Sequence, residues 1–208
     1  MLAQIREIFS AVPDEEAFFR RIACFYPESD YRYRTIRRAY KLAEDEFVKI
    51  RRDTGERYFE HLRCSTLILI YWLYVDDWQM IVAELLHDLV EDIPSWTIER
   101  VRQEFGEMIS RLVDWMTKRQ IDGKDDFRRL PNAPRVFWLM KLPDRLHNLM
   151  TLWGCSAEKA RLKIEETRNF FLPYARKHQI LAHEIEEALE EVEKKLAEGW
   201  ENVEVNHS

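Results

Sequence analysis

The chain has 208 residues, of which 46% are hydrophobic, and this length and apolar content allow one domain with a single core and exclude a disordered chain. Glycine and proline are scarce at 5 and 7 residues, while charged residues reach 34%, a composition that predicts an all-α, compact multi-helix fold. The formal net charge of −6 gives no general attraction to nucleic acid or to an anionic membrane, so we expect neither as a partner.

The first residues, the cysteines and the longest apolar stretch predict the cellular compartment of the protein. Residues 1–13 lack the apolar core of a signal peptide and are typical of a short amphipathic helix. Cys24, Cys64 and Cys155 are odd in number and lack Cys-x-x-Cys spacing, which favours free thiols in a reducing cytoplasm. The most apolar stretch, residues 67–75, is about half of the ~20 residues that a spanning helix needs, so it predicts a core helix.

Apolar residues recur at helical spacing along almost the whole chain. After the N-terminal helix, helices are predicted over residues 15–25, 31–50, 59–74, 78–92, 98–118, 135–153, 156–178 and 184–200. Asp14, Asp30 and Ser156 each precede such a segment and are predicted N-caps. Residues 51–58 and 120–134 are rich in turn-forming residues and are predicted loops. Since no repeat or linker interrupts the pattern, we expect one domain over residues 1–208.

The predicted helix over residues 78–92 has an unusual acidic side. Its apolar residues share one side of a helical wheel, and the opposite arc holds Glu84, His87, Asp88, Glu91 and Asp92. A solvated surface is the ordinary interpretation of such an arc. However, like charges four residues apart destabilise a helix, and no Lys or Arg occurs from residue 64 to 99. A cation bound by an imidazole and adjacent carboxylates would supply the missing positive charge. The residues alone leave both interpretations open.

Four motifs in a fixed order connect this acidic segment to a known family. They are R-R-D-T-G-E-R-Y-F-E-H (residues 51–61), L-L-H-D-L-V-E-D (85–92), F-G-E with L-V-D-W-M-T-K (105–118) and K-L-P-D-R-L-H-N (141–148). Together they resemble the HD hydrolase domain of the RelA/SpoT family, which removes the 3′-pyrophosphate from guanosine tetra- and pentaphosphate. The likeness covers residues 36–178, between a helical extension (1–35) and a last helix and tail (179–208). This length resembles the small, stand-alone alarmone hydrolases.

The resemblance implies a role for each matching residue. It implies one divalent metal ion, most often manganese, bound by His61, His87, Asp88 and Asp144. It also implies that an acidic pair beside the metal activates the attacking water, with the larger share for Glu91 and the smaller for Asp92. Finally, it implies that the nucleotide is contacted by Arg52, Asn148 and Thr151. A solvated loop arginine is the alternative interpretation of Arg52.

The chain also departs from the family pattern. Leu62 replaces a proline after the first ligand histidine, and Pro143 replaces an alanine before the last ligand aspartate. A proline inside a helix removes a backbone donor and favours a kink, so the approach to Asp144 is expected to differ. The family's alanine-histidine-x-glycine-glutamine run before the Arg52 loop is absent, and Asp53 stands where a basic residue is usual. These last two changes affect the substrate loop rather than the metal ligands.

Three functions of different classes follow. We expect an alarmone 3′-pyrophosphohydrolase that acts on a small nucleotide and gives GDP or GTP and pyrophosphate. The altered Arg52 loop also allows an HD phosphohydrolase for another nucleotide, such as an adenosine 3′-pyrophosphate, a 5′-nucleotide or NADPH. A binding module without catalysis is the third alternative, because a basic cluster could favour an anionic partner; it comprises Arg32, Arg34, Arg37, Arg38 and Lys41. The sequence leaves the native metal, the base and any homo-oligomer open.

Overall fold

The computed structural model describes residues 1–121, 124–125 and 127–200. As predicted, the fold is all-α: a compact assembly of helices with one minimal hairpin. The helices are α1 (Leu2–Ala11), α2 (Glu15–Ala23), α3 (Tyr31–Glu46), α4 (Tyr58–Leu67), α5 (Trp78–Leu85), α6 (Leu89–Asp92), α7 (Ile98–Phe105), α8 (Glu107–Met116), α9 (Arg135–Met150), α10 (Ala157–Glu166), α11 (Leu172–His178) and α12 (Ala182–Gly199). Strands β1 (Gln120–Ile121) and β2 (Lys124–Asp125) pair antiparallel.

Side-chain caps fix several helix starts where the sequence predicted them. The Asp14 carboxylate accepts a hydrogen bond from the Ala17 backbone N–H, and Asp30 and Ser156 cap α3 and α10 in the same way. Asp77 caps α5 by accepting from two backbone N–H groups. Each cap satisfies a donor that the first helical turn leaves without a partner.

Two predicted helices are divided, and both divisions were missed. Gly106 has a φ of 89°, a left-handed value that costs glycine little, and it separates α7 from α8 inside the predicted 98–118 helix. The predicted 78–92 helix ends at Leu85 and resumes at Leu89. The predicted loop over residues 120–134 contains β1, β2 and a 3₁₀ turn (Leu130–Asn132), while its residues 122, 123 and 126 lie outside the described part.

Helix α9 lies at the centre of the fold and packs against α4, α8, α11 and α12. Its Trp138 is fully buried and stacks on Tyr174 with 4.4 Å between ring centroids. Pro143 lies within α9, and the helix continues through it from Arg135 to Met150. The helix does not end at this proline, and Asp144 lies on a continuous helical segment.

The first half of the apolar stretch over residues 67–75 belongs to the core, as predicted, but the predicted helix ends at Trp72 and Tyr74 is 78% exposed. Residues 67–70 are buried, and the chain continues as one π-helical segment, Ile68–Trp72. Among the described residues, no helix is long and apolar enough to cross a membrane.

The basic cluster on α3 is largely neutralised by neighbouring acids. Arg37 and Lys41 form ion pairs with Glu15 of α2, Arg32 pairs with Asp30, and Arg38 pairs with Glu104. A surface whose charges are paired in this way offers little to an anionic partner. The cluster therefore gives no support to the binding-module alternative.

Candidate metal and nucleotide site

The break between α5 and α6 places the His87-Asp88 pair in a tight turn. His87 and Glu84 are fully buried and Asp88 is 3% exposed, so the solvated-surface interpretation is wrong for these three residues, whereas Asp92 at the end of the arc is exposed. The His87 imidazole Nδ1 lies 2.7 Å from the Glu84 carbonyl oxygen, which orients the ring. A histidine held by its Nδ1 atom directs Nε2 away from the backbone.

Four buried side chains, from α4, from the turn between α5 and α6 and from α9, bring nitrogen and oxygen atoms close together. The Nε2 atom of His61, on α4, lies 3.1 Å from Asp144 Oδ1 on α9 and 3.7 Å from Asp88 Oδ2. The Nε2 atom of His87 lies 3.2 Å from Asp88 Oδ2 and 3.7 Å from Asp144 Oδ1. The nearest atoms of His61, His87 and Asp144 all lie within 4.8 Å of one another, a grouping that could hold a divalent cation, and Asp88 Oδ2 lies beside both histidines.

The protonation of the two histidines differs because their neighbours differ. Burial and the charge of Arg52 lower the pKa of His61 to about 4, so its ring is neutral and suited to a cation. Burial also opposes a charge on His87, but the carboxylates of Asp88 and Asp144 outweigh it and raise the pKa of His87 well above its usual value. Its Nε2 atom is buried and makes no hydrogen bond to any described residue. This buried atom supports the fit of a cation.

His147 contacts the imidazole ring of His61. Its Nδ1 atom lies 2.9 Å from Nδ1 of His61, and both rings are buried. If His61 offers its Nε2 lone pair to a cation, its Nδ1–H donates to His147. Burial and the positive charge of Arg52 hold the pKa of His147 well below its usual range, so its ring stays neutral and can accept. The edge of Phe9, from α1, packs on the same ring.

Replacing His147 with leucine is expected to weaken manganese binding about 10–100-fold, because the buried Nδ1–H of His61 loses its acceptor. His147→Asn keeps an acceptor and should recover part of the affinity. Manganese titration followed by electron paramagnetic resonance measures both, with His183→Leu, at a 76% exposed side chain, as control. An asparagine variant that binds no better than the leucine variant would contradict this orienting role.

Lysines from distant segments provide the positive charge that the acidic segment lacks locally. The buried Lys141 ammonium lies 2.8 Å from Asp144 Oδ2, on the far side of that carboxylate from His61. Lys118, just after α8, donates from Nζ to Glu91 Oε2 at 3.0 Å and also bonds Glu91 through its backbone N–H.

Glu91 and Asp92 both lie on α6, which follows the His87-Asp88 turn. Partial burial and the negative charge of Asp88 raise the pKa of Asp92.

Glu84 is a fully buried acid beside this cluster. Neither carboxylate oxygen makes a hydrogen bond within the described residues. Burial raises the pKa of Glu84 to about 8, and the positive charges of His87 and Lys141 offset this only in part. The folded protein therefore retains this proton between about pH 4.5 and 8, where the unfolded chain has lost it. The contribution of the neutral Glu84 carboxyl to the free energy of unfolding is thus lost as the pH rises through that window.

Glu84→Gln is expected to stabilise the metal-free protein by a few kcal/mol at pH 8.5 and to change little at pH 5, where the wild-type carboxyl is neutral in the folded state. Urea unfolding at the two pH values measures the difference. The matched control is Glu158→Gln, because Glu158 is an exposed acid on α10. Equal effects of Glu84→Gln at both pH values would mean that Glu84 does not carry a raised pKa.

The predicted nucleotide contacts also meet in space. The Arg52 guanidinium Nη2 donates to Asn148 Oδ1 and to Thr151 Oγ1, each at 2.9 Å. The Asn148 amide in turn donates to Asp144 Oδ1 at 2.5 Å, so this chain of hydrogen bonds ends on a candidate metal ligand. The three residues line a cleft of about 200 Å³. Arg52 is therefore fixed within the site rather than solvated as a free loop arginine.

Several residues of this site were not singled out from the sequence. Besides His147 and the two lysines, the Tyr58 hydroxyl donates to Asp88 Oδ2 at 2.7 Å. All four lie inside the motifs at residues 51–61, 105–118 and 141–148, so the motifs contained the signal without assigning a role. Glu84, which the helical wheel placed on the acidic arc without a role, lies one residue before the second motif and is fully buried.

Comparisons with known proteins agree with this geometry. A family model described as an HD domain matches residues 39–181. The guanosine-3′,5′-bis(diphosphate) 3′-pyrophosphohydrolase of Aquifex aeolicus strain VF5 is 34% identical over 165 residues, 75% of this chain and 23% of that protein. The bifunctional (p)ppGpp synthase/hydrolase SpoT of Escherichia coli strain K12 is 31% identical over 189 residues, 85% of this chain and 26% of that protein. The chain thus spans about a quarter of the length of these relatives.

A solved structure shares the fold. It is the structure described for a metazoan ortholog of SpoT that hydrolyzes ppGpp. This chain superposes on it with a TM-score of 0.59 at 22% sequence identity. The match covers 80% of this chain and 97% of that chain. At this identity the likeness establishes a common helical fold.

Proposed function

Because the chain belongs to the HD-domain family, we propose that it is a manganese-dependent phosphohydrolase that removes the 3′-pyrophosphate of guanosine tetra- and pentaphosphate. The products would be GDP or GTP and pyrophosphate. The observation that carries the proposal is the convergence of His61, His87, Asp88 and Asp144 beside a polar cleft. The names of the relatives support the choice of substrate.

We assign the metal to the four converging atoms, two imidazole nitrogens and two carboxylate oxygens. Such a mixed set of nitrogen and carboxylate oxygen ligands suits manganese. Structural zinc sites, by contrast, are usually rich in cysteine sulfur. A bound divalent cation would offset the negative charge that develops on the phosphoryl oxygens and make water easier to deprotonate. The buried Nε2 of His87, which lies near both carboxylates but makes no hydrogen bond within the described residues, supports this assignment.

The proposed step replaces one oxygen on phosphorus by another. A water oxygen forms a bond to the phosphorus nearest the ribose, and the bond from that phosphorus to the ribose 3′ oxygen breaks. The proton lost by the water is balanced by the proton gained at the 3′ oxygen. Glu91, assisted by Asp92, takes the water proton, since a carboxylate placed beside the reacting atoms serves as a general base. Lys118 holds the Glu91 carboxylate in one orientation.

The cleft residues position the nucleotide. Asn148, bonded to Asp144, lies next to the proposed reacting phosphate, and its link to Arg52 keeps the guanidinium plane fixed. A planar guanidinium can stack on a purine or bind phosphate with two hydrogen bonds. Thr151 accepts a second hydrogen bond from the same guanidinium nitrogen and helps to fix Arg52.

Release of pyrophosphate from guanosine tetraphosphate by the manganese-loaded protein is the direct test. We expect release that stops when the metal is removed by a chelator and returns when manganese is added. The same assay with guanosine and adenosine 3′-pyrophosphates, 5′-nucleotides and NADPH compares the alternatives. No release from guanosine tetraphosphate would refute the proposed function.

A further inference from the structure

The cleft beside the metal site is lined both by residues that bond to candidate metal ligands and by a pair of charged residues. At the metal end are Tyr58, bonded to Asp88, and Asn148, bonded to Asp144. At the other end, Asp53 and Lys159 also line the cleft. A nucleotide whose 3′-phosphates lie at the metal end would therefore extend its base toward Asp53 and Lys159. This step rests on the proposed function, which places the phosphates.

Asp53 is held firmly but keeps an acceptor available. Its Oδ2 atom accepts from the Cys155 thiol at 3.0 Å and from the Lys159 ammonium. Its Oδ1 atom has no hydrogen-bond partner within the described residues. The Asp53 side chain is 47% exposed and that of Lys159 is 53% exposed, so a ligand in the cleft can reach both. The pair thus presents a donor beside an acceptor.

Close packing fixes the backbone that carries Asp53. A Cβ atom added at Gly154 would come 2.5 Å from the backbone nitrogen of Thr54 and 2.7 Å from the carbonyl carbon of Asp53. Only glycine lets the two segments approach so closely. Burial and the bond to Asp53 raise the pKa of the Cys155 thiol to about 11, so at neutral pH the thiol remains protonated and can donate.

The order of donors and acceptors on this pair matches one purine. The pairing edge of guanine presents an acceptor, O6, followed by two donors, N1–H and the N2 amino group. Lys159 can donate to O6, and the carboxylate of Asp53 can accept from N1–H and N2–H. Adenine presents the N6 amino group and the N1 lone pair at these positions. Its N6 donor would face the Lys159 ammonium, and its N1 acceptor would face the Asp53 carboxylate, so neither hydrogen bond could form.

We propose that Asp53 and Lys159 form the base-selecting pair of this site, which accepts guanine and rejects adenine. Discrimination arises because the wrong base leaves the carboxylate and the ammonium without hydrogen bonds. Hypoxanthine keeps O6 and N1–H but lacks the N2 amino group, so it should rank between the two. The order guanine, hypoxanthine, adenine is therefore specific to this arrangement.

The test measures kcat/KM for the guanosine, inosine and adenosine 3′-pyrophosphates with the manganese-loaded protein. We expect a preference for guanosine over adenosine of about 100-fold, the effect of two or three hydrogen bonds to charged groups at a half-exposed site. Asp53→Asn, whose amide can also donate to adenine N1, should reduce this preference at least about tenfold. Lys159→Met should reduce it as well. The matched control, Asp45→Asn, removes the same charge from an exposed residue of α3 and should leave the preference unchanged.

Two outcomes would overturn the pair's role: equal use of the purines by the wild type, or an Asp53→Asn variant that slows guanosine and adenosine substrates equally. If none of the 3′-pyrophosphates is hydrolysed, the proposed function fails. The affinities of GDP, IDP and ADP, measured by calorimetry, then test separately whether Asp53 and Lys159 select the base. A preference for GDP that disappears in Asp53→Asn would sustain the pair's role, whereas equal affinities in the wild type would refute it.

Discussion

His87→Ala is expected to abolish manganese binding and, with it, all pyrophosphate release above background. His87 supplies one of the two nitrogens at the site, and its imidazole also separates the Asp88 and Asp144 carboxylates. Without the ring, two buried carboxylates face each other with one imidazole fewer to balance them. Metal content by mass spectrometry and the pyrophosphate assay measure the result.

The control for this variant is His183→Ala, because His183 lies on α12 with a 76% exposed side chain. It should keep full metal content and full rate. Circular dichroism of both variants separates loss of metal from loss of fold. Stoichiometric manganese in a folded His87→Ala protein would remove His87 from the ligand set.

Glu91→Gln is expected to keep the metal and lose rate by about 10²–10⁴-fold, the usual contribution of a general acid or base. Glutamine has the same shape, and its amide oxygen can still accept one of the two hydrogen bonds that Lys118 donates to Glu91, so most of the local structure should persist. It cannot take a proton from water at neutral pH. The measurement is kcat at saturating manganese, with metal content determined on the same samples.

Asp92→Asn provides the comparison within the acidic pair. Partial burial and Asp88 raise the pKa of Asp92, which makes it a stronger base than a free aspartate once ionised. We expect a smaller loss of rate than for Glu91→Gln. A larger loss for Asp92→Asn would reverse the two roles, and loss of metal in Glu91→Gln would move Glu91 into the ligand set.

Much of the helical fold follows from local sequence. Asp14, Asp30 and Ser156 were recognisable as caps because capping depends on a few consecutive residues, and the apolar spacing predicted nearly every helix. The division between Leu85 and Leu89 was not predictable, because a helical wheel assumes an unbroken helix. That assumption placed Glu84 and His87 on a surface, whereas both are buried.

The sequence by itself determined the all-α class and, through four ordered motifs, the candidate residues His61, His87, Asp88 and Asp144. Only the tertiary structure decided how their charges are balanced and what lies around them. Lys141 pairs with Asp144 within α9, but Lys118 reaches Glu91 across 27 positions and Arg52 reaches Asn148 across 96. Such long-range pairs depend on how helices pack, which residue spacing does not encode. The same packing brings Asp53 to Lys159, across 106 positions, at the end of the cleft.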